Sequence, residues 1–271
     1  MRRVKVSDFI HCQSSDNGLV TVLSFRDEKR KNQLCWAAID ELADALQAAR
    51  EQGSRVVILV SDLSPHWFEH AWLEDLIAGV EGRECTGVGD GWFRALAELS
   101  HEAVVSIAAI NGDASGGGAE LAWACDFRVT ERQARFAQIE VNVGLTTGIG
   151  GCSRLSRLIG ISAATEMVLT GAAFDAVRLM ELGGVNRLVK KGEALSCARQ
   201  LARQLALKPP GALQGLKRVL RRAENLPLEQ AMAFEQETFQ QVAVSESALA
   251  AMKDCQQQYD ADQSVAEVHS Y

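Results

Sequence analysis

The sequence lacks any long apolar run. No stretch approaches the roughly 20 apolar residues that a membrane-spanning helix requires. Arg2 and Arg3 lie near the start, but the apolar segment of roughly 7–15 residues that a secretory signal needs does not follow them. We therefore expect a cytoplasmic protein that does not interact with membranes.

Cysteines are scattered, odd in number and never arranged as C-x-x-C, which argues against a disulfide framework and against a zinc site. We predict no metal site and interpret the cysteines as small apolar residues in a reducing compartment. They occupy positions 12, 35, 85, 125, 152, 197 and 255.

Positive charge is in deficit, with 28 Lys and Arg against 35 Asp and Glu and a net charge of -7. No global positive field would draw this chain to nucleic acid, so we expect no nucleic-acid partner. A negative net charge is still compatible with a local basic pocket for a phosphorylated ligand. With 271 residues that are 47% hydrophobic, the chain can bury a sizeable core, either as one domain with an appendage or as two small domains.

Short apolar runs alternate with an amphipathic segment in the first part of the chain. The runs are typical of buried strands, and the amphipathic segment has apolar residues at helical spacing. Strands alternating with helices favour an α/β fold with largely parallel pairing. The predicted strands are 19–25, 55–60, 104–110 and 127–129, and the predicted helix is 35–50.

Two further regions complete the predicted organisation. Residues 62–100 carry aromatics, histidines and many glycines, and we expect a mobile loop there. After about residue 190 the pattern is helical, with prolines as breaks, so we predict an α/β core over 1–190 and a helical region over 191–271. The predicted tail helices are 194–207, 211–224, 229–242 and 247–259.

A glycine triplet, Gly116–Gly118, lies between an apolar strand and an apolar helix. Glycines let a ligand approach the backbone closely, and the N–H groups of a helix start can hold a developing oxyanion. Glu120 follows three residues after Gly117, which places its carboxylate on the same helix face as that N–H. The alternative is that the glycines only permit tight packing and that Glu120 only complements the helix dipole.

Two other glycine motifs are excluded by spacing. A dinucleotide-binding G-x-G-x-x-G is absent from this segment. A nucleophile elbow, G-x-S-x-G, also fails, because Ser115 lies one residue out of register.

Glu140 stands in an otherwise apolar run before a second glycine-rich turn. A carboxylate in such surroundings is paired or functional. Two carboxylates in different environments can divide acid and base roles, which would pair Glu140 with Glu120. The alternative is a structural salt bridge to Arg154 or Arg157.

Several of these segments together resemble the crotonase superfamily, the enoyl-CoA hydratase/isomerase family. The order and spacing of the whole set carry the resemblance, which is close over about residues 100–190. The matching segments are Ala109–Gly112, Gly116–Ala122, Cys125–Asp126, Phe136–Val141, Gly148–Gly151, Arg154–Leu155, Met167–Gly171 and Glu181–Val189.

The resemblance implies a ββα spiral core with a C-terminal helical region that supports a homotrimer or a dimer of trimers. It implies acyl thioester substrates of coenzyme A, and no cofactor beyond that thiol. Backbone N–H groups of Gly117 and Ala71 would form the oxyanion hole, while Glu120 would activate water and Glu140 would exchange the α-proton. The same match places further residues around the substrate, namely Gly116, Gly118, Gly148, His70 and Trp72.

The chain departs from the family pattern F-x-A-G-A-D-L at Trp67–Leu73, where His70 replaces the glycine and Trp72 the aspartate. Glu74 stands where hydratases often carry a lysine. Because of these differences, an alternative substrate is an acyl thioester that is linked through phosphopantetheine to a carrier protein. Three alternatives to a hydratase follow: an isomerase, a biosynthetic dehydratase or decarboxylase, and a non-catalytic relative.

Overall fold

The computed structural model describes residues 8–261. Arg2, Arg3 and the rest of the N-terminal pattern discussed above lie outside the described residues. No helix in the described part of the chain is long and apolar enough to cross a membrane. The strands are β1 (Ile10–Ser15), β2 (Val20–Phe25), β3 (Val56–Ser61), β4 (Val105–Ile110), β5 (Ala114–Ser115), β6 (Phe127–Glu131), β7 (Arg135–Ala137), β8 (Phe174–Asp175) and β9 (Arg187–Val189).

A six-stranded sheet with the order β1-β2-β3-β4-β6-β9 forms the core. All its pairs are parallel except β1 with β2. Strands β2, β3 and β4 are buried along their whole length, as expected of parallel strands that are covered on both faces. The predicted strands and their parallel pairing are therefore confirmed. Strand β1 is not predicted from the sequence, because four of its six residues are exposed and only Ile10 and Cys12 are apolar.

A second sheet of three strands, in the order β5-β7-β8, lies at the start of the helix that carries the glycine triplet. The helices of the structure are α1 (Trp36–Glu51), α2 (Leu73–Glu81), α3 (Gly91–Ser100), α4 (Gly116–Ala124), α5 (Ser153–Ile159), α6 (Ile161–Thr170), α7 (Ala176–Glu181), α8 (Ala194–Ala206), α9 (Pro210–Ala223), α10 (Leu228–Ala243) and α11 (Glu246–Asp260).

The segment 62–100 corrects the expectation of a mobile loop, because α2 and α3 occupy much of it. The connection between them is tied down by carboxylates. The Thr86 N–H donates to Asp75 (2.8 Å), and the Gly91 N–H donates to Asp40 (2.9 Å). Glycines are needed here because the Trp36 ring lies only 2.8 Å from the place where a Cβ of Gly89 would stand.

The chain separates into two compact units, with the boundary between Ala202 and Arg203. The first unit contains both sheets and the helices as far as α7. In the second unit α9 packs against α10, and the predicted proline breaks are confirmed: Pro210 begins α9 and Pro227 precedes α10. Proline fits these positions because the first residues of a helix have no intrahelical acceptor for their N–H groups.

Candidate active site

A cavity of about 340 Å³ in the first unit brings most of the predicted site residues together. Two predicted residues are not on its wall. Gly118 faces the backbone of Phe68, and Trp72 lies beneath the Arg30 guanidinium (4.5 Å). The predicted residues that line the cavity are His70, Ala71, Gly116, Gly117, Glu120, Glu140 and Gly148.

The rest of the wall is largely apolar and was not singled out by the sequence. A cavity of this size lies at the low end of the range of roughly 300–1,000 Å³ for ligand pockets, which favours a small ligand. The further lining residues are Leu73, Leu76, Trp92, Ile139, Val143, Leu145, Thr146 and Ile149.

Each glycine of the triplet is required by close packing around α4, whose nine residues are all buried. A Cβ at Gly117 would stand 2.7 Å from the Trp92 ring, and one at Gly118 only 2.0 Å from the Phe68 carbonyl oxygen. Gly116 has a φ of 46°, in the left-handed region that favours glycine. The three glycines therefore do permit tight packing, as one of the two interpretations predicts. Their N–H groups at the first turn of α4 have no intrahelical acceptor, so they are also available to bind a ligand.

Ala71 forms an isolated parallel β-bridge with Leu34, which fixes its position. The Leu34 N–H donates to the His70 oxygen (3.0 Å), and the Trp72 N–H donates to the Leu34 oxygen (2.9 Å). Successive N–H groups of an extended segment point to opposite sides, so the Ala71 N–H points away from Leu34. Within residues 8–261 this N–H has no acceptor.

The side chain of Glu120 is 3% exposed, and backbone groups of the second glycine-rich turn hold it. Its Oε1 accepts hydrogen bonds from the N–H groups of Gly151 (2.6 Å) and Ile149 (3.0 Å). Burial raises the pKa of Glu120 above its ordinary value; the backbone N–H groups of Gly151, Ile149 and Gly150 oppose this rise, and the nearby charge of Glu140 adds to it. A carboxylate whose pKa is raised in this way is a stronger base than an exposed glutamate.

Glu140 begins a short 3-10 helix, Glu140–Val143, and is half-buried at the end of a hydrogen-bond chain. The Gln138 Nε2 donates to both of its carboxylate oxygens (3.1 and 3.3 Å), and the Trp123 Nε1–H donates to the Gln138 Oε1 (2.9 Å). No ion pair to Glu140 occurs in the described part of the chain. The predicted alternative of a salt bridge is therefore wrong.

The arginines proposed for that salt bridge bind backbone carbonyls instead. The Arg154 Nη1 donates to the Ile149 oxygen (2.6 Å), and the Arg157 Nη1 donates to the Ser153 oxygen (2.8 Å).

The segment before Ala71 is clamped by polar groups that the sequence did not connect. Glu69 accepts a hydrogen bond from the Ser115 hydroxyl and contacts His66 (2.9 Å). The His70 N–H in turn donates to the Ser115 Oγ (3.1 Å). The clamp ties this segment to the residue that directly precedes α4.

The His70 ring is held by its neighbour. Its Nδ1 donates to the Ala71 carbonyl oxygen (2.8 Å), so in the neutral ring the Nε2 is an acceptor. Among residues 8–261 no group of three or more His, Cys, Asp or Glu side chains could hold a metal ion.

Comparison with known proteins places this arrangement in a family. The model of the enoyl-CoA hydratase/isomerase family matches residues 15–259, so the chain belongs to this family of enzymes. The match also confirms the resemblance found in the sequence.

Two relatives illustrate the similarity. The short-chain-enoyl-CoA hydratase of Clostridium acetobutylicum is 38% identical over 160 residues, which are 59% of this chain and only 60% of that protein. The carnitinyl-CoA dehydratase of Escherichia coli K12 is 32% identical over 219 residues, 80% of this chain and 83% of that protein.

Solved structures confirm the crotonase-type α/β fold. An enoyl-CoA hydratase structure from Geobacillus kaustophilus superimposes with a TM-score of 0.81 at 29% identity, covering 95% of this chain and 98% of that one. The enoyl-CoA hydratase of Bacillus anthracis gives a TM-score of 0.82 at 26% identity, covering 94% and 96%.

Proposed function

We propose that this protein is an enoyl-CoA hydratase that adds water reversibly across the α,β double bond of a short acyl-CoA. The observation that carries the proposal is that Glu120 and Glu140 line one small cavity together with Ala71 and Gly117. Two carboxylates and two backbone donor positions are what this addition requires, and both named relatives above act on acyl-CoA compounds.

Glu120 is proposed as the group that activates water. Its Oε1 is engaged by the Gly151 and Ile149 N–H groups, which leaves Oε2 to accept a proton from water. The water oxygen then forms a bond to the β-carbon, and its proton passes to Glu120. In the reverse direction, protonated Glu120 returns this proton to the departing hydroxyl group.

Addition at the β-carbon moves an electron pair onto the thioester oxygen. The N–H groups of Ala71 and Gly117 are proposed to donate to that oxygen, and one such donor is worth about 2.7–4 kcal/mol in related chemistry. Gly116, Gly148 and His70, which line the cavity, are proposed to contact the substrate. Gly118 and Trp72, which the resemblance also places there, lie off the cavity wall and are proposed only to support it. We expect no cofactor apart from the thiol that the substrate carries.

Glu140 is proposed to complete the reaction by giving a proton to the α-carbon, so that the enolate becomes the 3-hydroxyacyl thioester. Glu120 has then gained one proton and Glu140 has lost one, and proton exchange with solvent restores both groups for the next turnover. The carboxylate left behind is the form that the Gln138 amide solvates. In the dehydration direction the same carboxylate removes the α-proton.

The test is the hydration of crotonyl-CoA, followed by the loss of its enoyl absorbance. Replacing Glu120 or Glu140 by Gln should each lower kcat by roughly 10²–10⁴-fold, as for loss of a general acid or base. Glu166→Gln is the matched control, because Glu166 is an exposed carboxylate paired with Arg178. Wild type that is no more active than Glu120→Gln would contradict the proposal.

A second candidate is the same chemistry on a carrier-protein-bound thioester. It is favoured by Glu74, which stands where hydratases of the family often carry a lysine and is paired with Arg83 (2.8 Å), so that this position supplies no free cation for a phosphate of coenzyme A. Crotonyl-CoA and the crotonyl thioester of N-acetylcysteamine distinguish the two, since the latter lacks the nucleotide. Similar kcat/KM for both would favour the carrier-bound substrate.

A homotrimer or a dimer of trimers is the oligomer that we propose. Within the second unit several large apolar side chains are exposed, including Leu220 (73%) and Phe239 (64%), as an association surface requires. Light scattering on the purified chain tests this, and a monomer at micromolar concentration would contradict it.

A further inference from the structure

Two buried polar side chains, Trp123 and Gln138, form a hydrogen-bond chain that ends on the half-buried Glu140. It runs from the Trp123 Nε1–H to the Gln138 Oε1 (2.9 Å) and from the Gln138 Nε2 to the Glu140 carboxylate (3.1 and 3.3 Å). Trp123 and Gln138 are 2% and 1% exposed, so water does not compete for the bond between them. The orientation of the Gln138 amide therefore depends on its protein partners.

The indole at the far end settles that orientation. An indole N–H can only donate, so Trp123 requires the amide oxygen of Gln138 on its side. The NH₂ group is then directed towards Glu140. A flipped amide would set two donors against each other at Trp123 and two acceptors against each other at Glu140, and buried unpaired polar groups are costly.

The amide also has no room to move aside. A Cβ at Gly151 would stand 2.7 Å from the Gln138 Nε2, so the bare backbone of Gly151 forms one wall of its slot. On the other side, the Trp123 ring packs against Phe136 with ring centres 5.3 Å apart. Packing against Phe136 fixes the Trp123 indole, and the indole N–H fixes the orientation of the Gln138 amide.

We propose that Trp123 is a positioning residue, which acts through Gln138 to aim the Glu140 carboxylate at the α-carbon. The inference rests on the proposed role of Glu140 as the group that exchanges the α-proton. Trp123 lies on α4, three residues after Glu120, so one buried helix would supply one carboxylate and orient the other.

The first test is a set of three variants: Trp123→Phe, Gln138→Leu and the double variant. Trp123→Phe keeps a ring in place but removes the N–H, so kcat should fall about tenfold with KM unchanged, because a small misplacement of a reacting group is expensive. Gln138→Leu should fall at least as far. The double variant should be no slower than Gln138→Leu, because Trp123 acts only through that amide.

Trp36→Phe is the matched control, because it makes the same substitution at a ring that packs against Gly89 and does not line the cavity. Its kcat should stay within about twofold of wild type, as for an independent site. Losses of kcat that simply multiply in the double variant would overturn the proposal, as would a Trp36→Phe loss equal to that of Trp123→Phe.

A second measurement does not depend on turnover. The Gln138 side-chain NH₂ signals in a ¹H–¹⁵N spectrum, assigned by their loss in Gln138→Leu, should be sharp and slow to exchange with solvent in wild type. In Trp123→Phe they should broaden and exchange at least about tenfold faster, because the amide can then rotate. Unchanged signals overturn the positioning role. Changed signals in a protein that hydrates no enoyl thioester would instead refute the proposed function and leave the orientation of the amide established.

Discussion

The Gly151 N–H donates a hydrogen bond of 2.6 Å to Oε1 of Glu120. The same residue leaves no space for a side chain, because a Cβ would stand 2.6 Å from the Thr147 Cγ2 and 2.7 Å from the Gln138 Nε2. Gly151 thus binds one carboxylate directly and makes room for the amide that binds the other, Glu140. Gly151 therefore contributes to the positions of both proposed acid–base groups, Glu120 and Glu140.

Replacing Gly151 by Ala should therefore lower kcat for crotonyl-CoA hydration by at least about tenfold, since both carboxylates would shift. Gly211→Ala is the control, because nothing lies within 4 Å of its Cβ position and alanine favours a helix more than glycine does. Full activity of Gly151→Ala would show that the close approach at this glycine is unimportant.

The pH dependence of hydration should report on Glu120. Burial raises the pKa of this carboxyl group, and water can be activated only by its ionised form. The kcat/KM for hydration should therefore fall as the pH decreases through this raised pKa, at a higher pH than for an exposed glutamate. The measurement is a pH–rate profile of wild type against Glu120→Gln, in which this limb should vanish. A limb that persists in Glu120→Gln would belong to another group.

The raised pKa of Glu120 also predicts how pH affects stability: ionisation of Glu120, which activity requires, lowers the free energy of unfolding. A raised pKa in the folded state means that the ionised form of Glu120 disfavours folding. The penalty is absent below the pKa of the unfolded chain, grows as the pH rises towards the folded pKa, and is complete above it. Glu120→Gln should consequently unfold at a higher Tm than wild type near pH 8. Each ~1 kcal/mol gained corresponds to roughly 2–4 °C in a chain near this size.

Glu166→Gln serves as the comparison for this prediction, because Arg178 lowers the pKa of Glu166. Its variant should gain no stability at the same pH. A Tm of Glu120→Gln that is equal to or below that of wild type at pH 8 would contradict the interpretation of the pKa shift.

His70 should limit the size of the acyl group. Its side chain lies on the cavity wall and packs against Gly116, where a Cβ would stand 2.8 Å from the His70 Cβ. His70→Ala removes the ring, so kcat/KM for hexenoyl-CoA relative to crotonyl-CoA should rise by about tenfold, as expected for a pocket that gains room for a methylene or two. The exposed His11→Ala should leave the ratio unchanged, and an unchanged ratio in both variants would remove His70 from the acyl pocket.

The parts of the fold that could be predicted are those with a local signature. Strands β2 to β4 are continuous apolar runs because both of their faces are covered, and α8 to α11 have helical periodicity interrupted by prolines. Segment 62–100 differs from its prediction because a high glycine content is also typical of mobile loops. Here Gly79 and Gly89 accommodate the Trp36 ring, and Gly87 and Gly91 pack against Asp40, residues that are distant in sequence.

The residues of the candidate site also differ in whether they could be predicted from the sequence. Gly117, Glu120 and Glu140 could be identified because each lies in a short motif with a recognisable spacing. The supports of these groups could not, because they pair residues from different segments: Trp123 with Gln138, Gly151 with Glu120, and the Leu34 bridge with Ala71. A sequence shows which groups can hydrogen-bond, but tertiary packing decides which of them meet.

The complete burial of α4 has a consequence for attempts to alter this protein. A helix with no solvent face tolerates little beyond substitutions of similar size and shape, so random mutagenesis there should return mostly misfolded chains. The cavity wall contributed by residues 70–76 and 139–149 is different, because many of its side chains are partly exposed. Libraries that seek a new acyl preference should therefore keep α4, Ala71 and Glu140 constant and vary the other residues of those two walls.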